Sequence, residues 1–400
     1  MKQKVVIIGH SYLSRLSLIR SVAVLNCEII VVVMTAPFST SNPHKKTIDC
    51  YSKYVDRVLY CVRRDRESLI ALLLKECIDP NQKVVLIPDG DDVVATIGNN
   101  KEVLAPHFLF PHIEKEPSSM VYWMEKTNQK QLAEEVGLHV AEGRVIEITD
   151  GHYYILKEIK YPCYSKPLAT MTGGKGGMRR CDNEKELKSA LQYIIENRNR
   201  TEKVLVEDYK EIETEYALLG FSDGETVIIP GILEFLTVSK HNKGIALQGM
   251  VKPIDGFEEV VEKFKRLVLD IGFVGVFDID FYKSGGLYYF CELNLRYGGS
   301  GYAITKMGVN LPAMMVRYFY GESLDGMQTT ITGSATYINE RMCMDDWNSG
   351  FISYKDYRRY QRTADIRFVP DVNDPAPENA FRHEYRKRML VNWVKSIMRK

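Results

Sequence analysis

The stretch that most constrains the fold is Gly275-Val276-Phe277-Asp278-Ile279-Asp280-Phe281-Tyr282, then Lys283-Ser284-Gly285-Gly286, then Leu287-Tyr288-Tyr289-Phe290-Cys291-Glu292-Leu293-Asn294-Leu295-Arg296. Apolar, β-branched and aromatic residues on both sides of a Ser-Gly-Gly turn predict a β-hairpin. Side chains two apart on a strand share a face, so Asp278 and Asp280 fall together, as do Glu292, Asn294 and Arg296. Hard oxygen donors from two facing strands suit Mg2+, which takes one or two protein carboxylates and completes its octahedron with water and substrate phosphates. Such a site implies a nucleotide. A lone Asp-x-Asp would read better as solvated acids; the Glu-x-Asn-x-Arg partner strand shifts the balance toward ligands.

At 400 residues the chain outgrows a single core and should hold two or three domains. Its 53 Lys and Arg against 52 Asp and Glu leave no global charge that points to nucleic acid or a membrane surface. The 8 cysteines are scattered without a Cys-x-x-Cys pair, which suggests neither a zinc site nor a disulfide framework and favours a reducing compartment. Val5-Val6-Ile7-Ile8 after Met1-Lys2-Gln3-Lys4 is too short an apolar run for a signal peptide, and no run long enough to span a membrane follows. The expected location is the cytoplasm.

Val5 to Ile8, the turn at Gly9-His10-Ser11, the helical spacing of Leu13, Leu16 and Ile19, and the apolar run from Glu28 to Met34 predict a βαβ opening and a parallel sheet. Only Gly9 is present of the glycines a dinucleotide fingerprint requires, which disfavours NAD. Val84-Val85-Leu86-Ile87-Pro88 predicts another strand, whose carboxyl end carries Asp89-Gly90-Asp91-Asp92. That loop reads equally as a substrate contact or as the acidic start of a helix over Val93 to Ile97. A helix is expected over Met120 to Gly137, with Lys126 near its start.

Tyr164-Ser165-Lys166-Pro167 then leads into Thr172-Gly173-Gly174-Lys175-Gly176-Gly177-Met178-Arg179-Arg180. Glycines around a lysine let backbone N–H groups approach an anion, and Lys166 adds a second cation. The loop is no Walker A motif, because Gly176 follows Lys175 where Ser or Thr is required. Lys203 to Tyr209 predicts a strand whose end could offer main chain to an adenine edge. Ser239-Lys240-His241-Asn242-Lys243-Gly244 is a basic loop that fits a triphosphate, an acidic substrate or a solvated turn. The last segment, from Arg382 to Lys400, reads as a basic amphipathic helix docked on the body of the protein.

In order, Lys126, Ser165-Lys166-Pro167, the Gly173 to Gly177 loop, Val204 to Tyr209, Glu215, Asp280 and Glu292-Leu293-Asn294-Leu295-Arg296 resemble the ATP-grasp superfamily over residues 1 to 310, and within it the carboxylate-amine ligases. Cys50 to Val55 and Leu86 to Asp92 are similar to the N-terminal domain of D-aspartate ligase-like proteins. The resemblance implies an α/β fold: an N-terminal parallel-sheet domain (1–115), the two lobes of an α+β ATP-grasp domain (116–220 and 221–325), and a C-terminal extension (326–400).

It also implies roles for particular residues. Lys126, Lys166 and the Gly173, Gly174, Lys175, Gly176 loop would hold ATP phosphates. Glu207, Asp208, Tyr209 and Lys210 would frame adenine, and Glu215 would take the ribose. Asp280, Glu292 and Asn294 would bind Mg2+, with Mn2+ a substitute, and Arg296 would face the γ-phosphate or the acyl-phosphate in catalysis. Lys240 of the basic loop is a second catalytic candidate, from its charge and place in the sequence rather than from the resemblance. Asp208 and Lys210 depart from the usual pattern of relatives. The implied activity joins a small carboxylate to a small amine through an acyl-phosphate, on an amino acid or a cell-envelope precursor. The rivals are a bicarbonate-dependent carboxylase or carbamoyl-phosphate-type enzyme and a non-catalytic nucleotide-binding protein. No nucleic acid or integral membrane segment is expected, and a homodimer is allowed.

Overall fold

The computed structural model describes residues 2–35, 46–62, 65–168, 178–197, 202–242 and 244–398, with side chains up to 387. The chain forms two compact units: Met1–Val121 with Tyr216–Asp278 and Asn294–Lys400, and Tyr122–Glu215 with Ile279–Leu293.

The first unit opens with β1 (Lys4–Gly9), α1 (Tyr12–Val22), β2 (Glu28–Thr35), β3 (Arg57–Val62), α2 (Arg66–Glu76), β4 (Val84–Asp89), α3 (Asp91–Asn99) and β5 (Phe108–Leu109). The five strands form a parallel sheet in the order β3-β2-β1-β4-β5. Alternation along the strands sends Val5, Ile7, Ile29, Val31, Val85 and Ile87 into one core with Leu18 and Ile19 of α1. Val6, Ile8, Ile30, Val32, Val84 and Leu86 go into a second core with Leu69, Leu73, Val93 and Ile97 of the other two helices. A parallel strand buried on both faces must be apolar throughout, which is why these runs carry no polar alternation. The strand order reverses between β1 and β4, and Gly9 pairs with Asp89 at their carboxyl ends. Ligands of open α/β sheets bind at such switch points.

The second unit holds α4 (Lys126–Glu135), β6 (His139–Val140), β7 (Gly143–Ile148), β8 (Cys163–Pro167), β9 (Arg179–Cys181), α5 (Glu184–Asn197) and β10 (Glu202–Asp208). The helix expected over Met120 to Gly137 is two helices, with Met120–Trp123 separate from α4. An antiparallel sheet runs β9-β8-β10-β7. Its apolar face, with Ile146, Cys163, Cys181, Val204 and Val206, packs on Leu187, Ala190, Leu191 and Ile194 of α5.

The rest of the chain adds β11 (Thr214–Asp223), β12 (Ile232–Val238), β13 (Ala246–Lys252), α6 (Glu258–Ile271), β14 (Phe273–Ser284), β15 (Leu287–Asn294), β16 (Ala335–Ile338), α7 (Glu340–Asn348), α8 (Tyr354–Thr363), β17 (Ile366–Arg367) and α9 (Ala376–Met398). Within the first unit these strands are ordered β17-β16-β13-β12-β11-β14. The expected hairpin is β14 and β15, turned by Gly285 and Gly286 at φ 56° and 78°. Two consecutive positive φ values are what a tight hairpin turn requires, and glycine adopts them without steric cost. Leu13 and Leu16 of α1 share a core with Leu247, Ile338, Cys343, Met344, Tyr357 and Phe381, so the segment beyond residue 325 is packed into this unit.

Candidate functional site

In the second unit, three lysines converge on two carboxylates. Lys126 Nζ lies 2.5 Å from Glu292 Oε2. Lys130 and Lys166 both contact Glu207, one at each carboxylate oxygen. Lys126 and Lys130 are four apart on α4 and so lie on one helix face. Buried Gln129 fixes that helix: its Nε2 donates to the carbonyls of Trp123 (2.6 Å) and Leu293 (2.7 Å), and its Oε1 accepts from Leu293 N–H (2.9 Å). The bidentate clasp on Leu293 places the start of α4 beside Glu292, the preceding residue.

Burial opposes the charge on Lys126, yet the carboxylate of Glu292, with Cys291 and Asp280 nearby, raises its pKa above the ordinary lysine value. Burial, with the Lys166 and Lys126 ammonium groups, pushes Lys130 down to about 7, while Cys291 and Glu134 pull the other way. Local repulsion among three cations is thus held in check by acids, and an incoming polyanion would relieve it.

Of the nucleotide-binding residues expected from the sequence, Lys126, Lys166 and Glu207 come together here, and Gly173, Gly174, Lys175 and Gly176 lie outside the described residues. Glu207 is buried against two lysines. Asp208 N–H donates to the Glu142 carbonyl (2.8 Å) and Tyr209 N–H to that of Pro162 (3.0 Å), so these main-chain donors are committed within the protein. Arg180 covers the Tyr209 ring at 4.3 Å, and Lys210 Nζ stands 5.6 Å from the Tyr289 ring. Glu215 is half-buried at the start of β11. Lys130 was not singled out in the sequence; its spacing of four from Lys126 was the available signal.

In the first unit, β15 ends at Asn294, and Arg296 sits in the bend that follows rather than on the strand face. The strand stops there because the chain turns at Arg296 into Gly298-Gly299, and Gly298 passes so close to Asp278 that an added Cβ would lie 2.3 Å from its Oδ2. Arg296 Nε donates to Asp91 Oδ1 (2.7 Å) and Nη2 to Asn294 Oδ1 (3.4 Å). Burial disfavours the charged guanidinium, but Asp91 and Asp278 outweigh it and hold its pKa above the ordinary value. Asp91 and Asp92 occupy the first turn of α3, whose N-cap is Gly90 without a side-chain cap. Asp89 is buried, and desolvation raises it to about 7 against the pull of Arg15 and Arg296. Lys240 is an exposed residue of the loop between β12 and β13.

Asp280 and Glu292 are the hairpin carboxylates of the second unit. Their oxygens match the hard-donor preference of Mg2+, and Glu292 already faces a cation, the Lys126 ammonium. Among the described residues no group of three or more His, Cys, Asp or Glu side chains is gathered to hold a metal. A Mg2+ ion completed by phosphate oxygens does not need one.

A doubly wound parallel sheet followed by an antiparallel lobe bearing paired lysines and a carboxylate hairpin defines an ATP-grasp protein. The chain belongs to the family described as carbamoyl-phosphate synthase L chain, ATP binding domain, whose model matches residues 125–327. It is 29% identical over 206 residues to the carbamoyl phosphate synthase large chain of Clostridium botulinum (strain Loch Maree / Type A3), covering 49% of this chain and 18% of that relative. The chain therefore spans about a fifth of the length of this curated relative. Among solved structures, the biotin carboxylase domain of Hydrogenobacter thermophilus 2-oxoglutarate carboxylase, a dimer with MgADP, ADP and bicarbonate, superimposes with TM-score 0.62 at 18% identity, over 84% of this chain and 74% of that one. The L-amino acid ligase of Bacillus licheniformis gives 0.61 at 15% identity, over 84% and 80%. At these identities the structural likeness shows the fold alone. No helix among the described residues is long and apolar enough to cross a membrane.

Proposed function

We propose that this protein is an ATP-dependent carboxylate-amine ligase. The observation that carries the reading is the lysine cluster, in which Lys126, Lys130 and Lys166 are held on Glu292 and Glu207 in a compact unit. Such a cluster suits the phosphates of ATP. In the proposed reaction a substrate carboxylate oxygen attacks the γ-phosphorus and the bond to ADP breaks. An amine then attacks the acyl carbon, phosphate leaves, and the amine proton passes to solvent. No protein nucleophile is required; positioning and charge stabilisation suffice.

Lys126 and Lys166 would bind phosphate oxygens, with the Gly173 to Gly177 loop over them. Glu207 to Lys210 and Glu215 would meet the nucleoside, and Arg296 and Lys240 would face the phosphoryl or acyl-phosphate group. Asp280, Glu292 and Asn294 would supply oxygen ligands to Mg2+, which when bound neutralises charge on the phosphates. The acid and the amine would be small molecules, such as an amino acid or a cell-envelope precursor, handled in the cytoplasm.

A second reading is favoured by the family match and by the bicarbonate in one structural neighbour: a carboxylase or carbamoyl-phosphate-type reaction. The experiment is ADP release from MgATP with pooled amino acids and amines, with and without bicarbonate. Release that requires both an acid and an amine supports the ligase. Release that requires bicarbonate and no other acid replaces it with the second reading.

A further inference from the structure

The loop Ser239–Asn242 is fastened by one buried carboxylate from the C-terminal segment, outside the region the family model matches. Asp346, on α7, is 0% exposed. Its Oδ1 accepts from the Ser239 hydroxyl (2.5 Å) and from His241 N–H (3.2 Å), and its Oδ2 accepts from Lys240 N–H (2.8 Å). The Ser239 hydroxyl oxygen in turn accepts from Asn242 N–H (2.8 Å), and the Asn242 amide donates to Met342 Sδ (3.4 Å). His241 Nδ1 meets Ser349 Oγ at 3.3 Å. Three consecutive residues are thus tied to one side chain, while the side chains of Lys240 and His241 stay exposed.

The helix that carries the carboxylate is tied to β13, the strand that leaves the loop. Asn339 caps α7 through Met342 N–H (3.1 Å), and its own N–H donates to the Leu247 carbonyl (2.9 Å) on β13. Cys343 Sγ donates to the same carbonyl, and β16 pairs with β13 at Gln248↔Ile338. Among the described residues Asp346 makes no ion pair, and it lies near the carboxyl end of its helix, where the helix dipole disfavours an anion. A loop that only had to be closed could be closed by a neutral side chain. A buried anion there is stabilised by its three hydrogen bonds, and in satisfying them it fixes the backbone from which Lys240 and His241 project.

We infer that Asp346 is a positioning residue for the reaction, aligning Lys240 and His241 for an anionic, phosphoryl-bearing substrate. The inference rests on the ligase reading above, in which Lys240 meets that substrate. It is tested by a double-mutant cycle of D346N and K240A in the full chain, read by steady-state ADP release with MgATP and the acid and amine pair found above. In D346N an amide N–H₂ would face the donors that the carboxylate now accepts from. The expected result is a loss of about tenfold or more in kcat with KM for ATP within about twofold, shrinking to under about twofold in the K240A background. Ser239→Thr, which keeps the hydroxyl, should retain near-full kcat, and S239A replaces D346N in the cycle if D346N does not fold. Equal fold-losses in both backgrounds would mark a merely structural role and overturn the inference, as would full kcat in either D346N or K240A. Failure of the ligase reading is seen separately, as no acid- and amine-dependent ADP release from the unaltered protein.

Discussion

Arg296 Nε donates to Asp91 Oδ1 at 2.7 Å across 205 residues of chain, tying the bend after the hairpin to the first turn of α3. The guanidinium also reaches Asn294 Oδ1 (3.4 Å) and the Tyr297 carbonyl (3.5 Å), so each of its three nitrogens has an acceptor. A lysine offers one point charge and cannot reproduce that fork. Arg296→Lys is expected to lower kcat about a hundredfold if the group stabilises a transferring phosphoryl. Asp91→Asn, which loosens the orientation but keeps the charge on Arg296, should cost less. Because the pair is partly solvated, its loss should lower stability by only about 1 kcal/mol. Steady-state ADP release and urea unfolding of both variants check this, and equal kcat losses would contradict it.

Asp89 predicts a pH dependence. Burial raises its folded pKa to about 7 from an ordinary carboxylate value, with Arg15 and Arg296 pulling it back. A raised folded pKa means that the native state holds a proton the unfolded chain has lost. The contribution to stability is therefore fully present below about pH 4 and is lost as pH rises through about 7. Asp89→Asn cannot lose a proton, so the unaltered protein should fall in urea midpoint relative to that variant between about pH 5 and about pH 8. Parallel curves for the two proteins over that range would rule the assignment out.

Much of this architecture was legible because it depends on local pattern. Val5 to Ile8, Ile29 to Met34 and Val84 to Pro88 are apolar throughout, as parallel strands covered on both faces must be, and the hairpin declared itself by its two turn glycines. The lysines of the cluster were legible at Lys126 and Lys166, and Lys130 could have been found from its helical spacing. Arg296 was placed on a strand face because the alternation continues past Asn294, whereas close packing at Gly298 bends the chain there. Asp346 on Ser239 and Asp49 on Arg15 had no local signature. Each is a polar pair made by tertiary packing between distant segments, and neither partner's neighbours in sequence report the other.

The close approach of β1 and β4 sets a steric limit at Gly9. A Cβ there would lie 2.4 Å from the Asp89 carbonyl oxygen and 2.7 Å from Asp89 Oδ2, and the backbone atom cannot swing away. Gly9→Ala should destabilise by about 1–3 kcal/mol through overpacking. At Gly285 nothing lies within 4 Å of an added Cβ, and only the φ of 56° opposes substitution. Gly285→Ala should therefore cost about 1–2 kcal/mol at most, without disturbing ADP release. The pair of urea midpoints separates steric from backbone strain; a larger loss at Gly285 than at Gly9 would refute the assignment.

The C-terminal segment is bound to α1 by a buried ion pair. Arg20 Nε donates to Asp374 Oδ2 (3.0 Å), and its remaining N–H groups donate to the carbonyls of Phe368, Val369 and Asp374. Asp374, fully buried, also accepts from the Ser52 hydroxyl (2.9 Å) and Lys53 N–H (3.0 Å). Removing one partner leaves a buried charge uncompensated, so Asp374→Ala should destabilise by about 3–5 kcal/mol. Arg20→Met with Asp374→Ala removes both charges and should recover part of that loss, because the cost of the single change lies in the stranded guanidinium rather than in the missing attraction. A double-mutant cycle in urea measures the difference. If the double variant is less stable than Asp374→Ala by the full cost of Arg20→Met alone, the two residues act independently and the ion pair is not what fastens this segment.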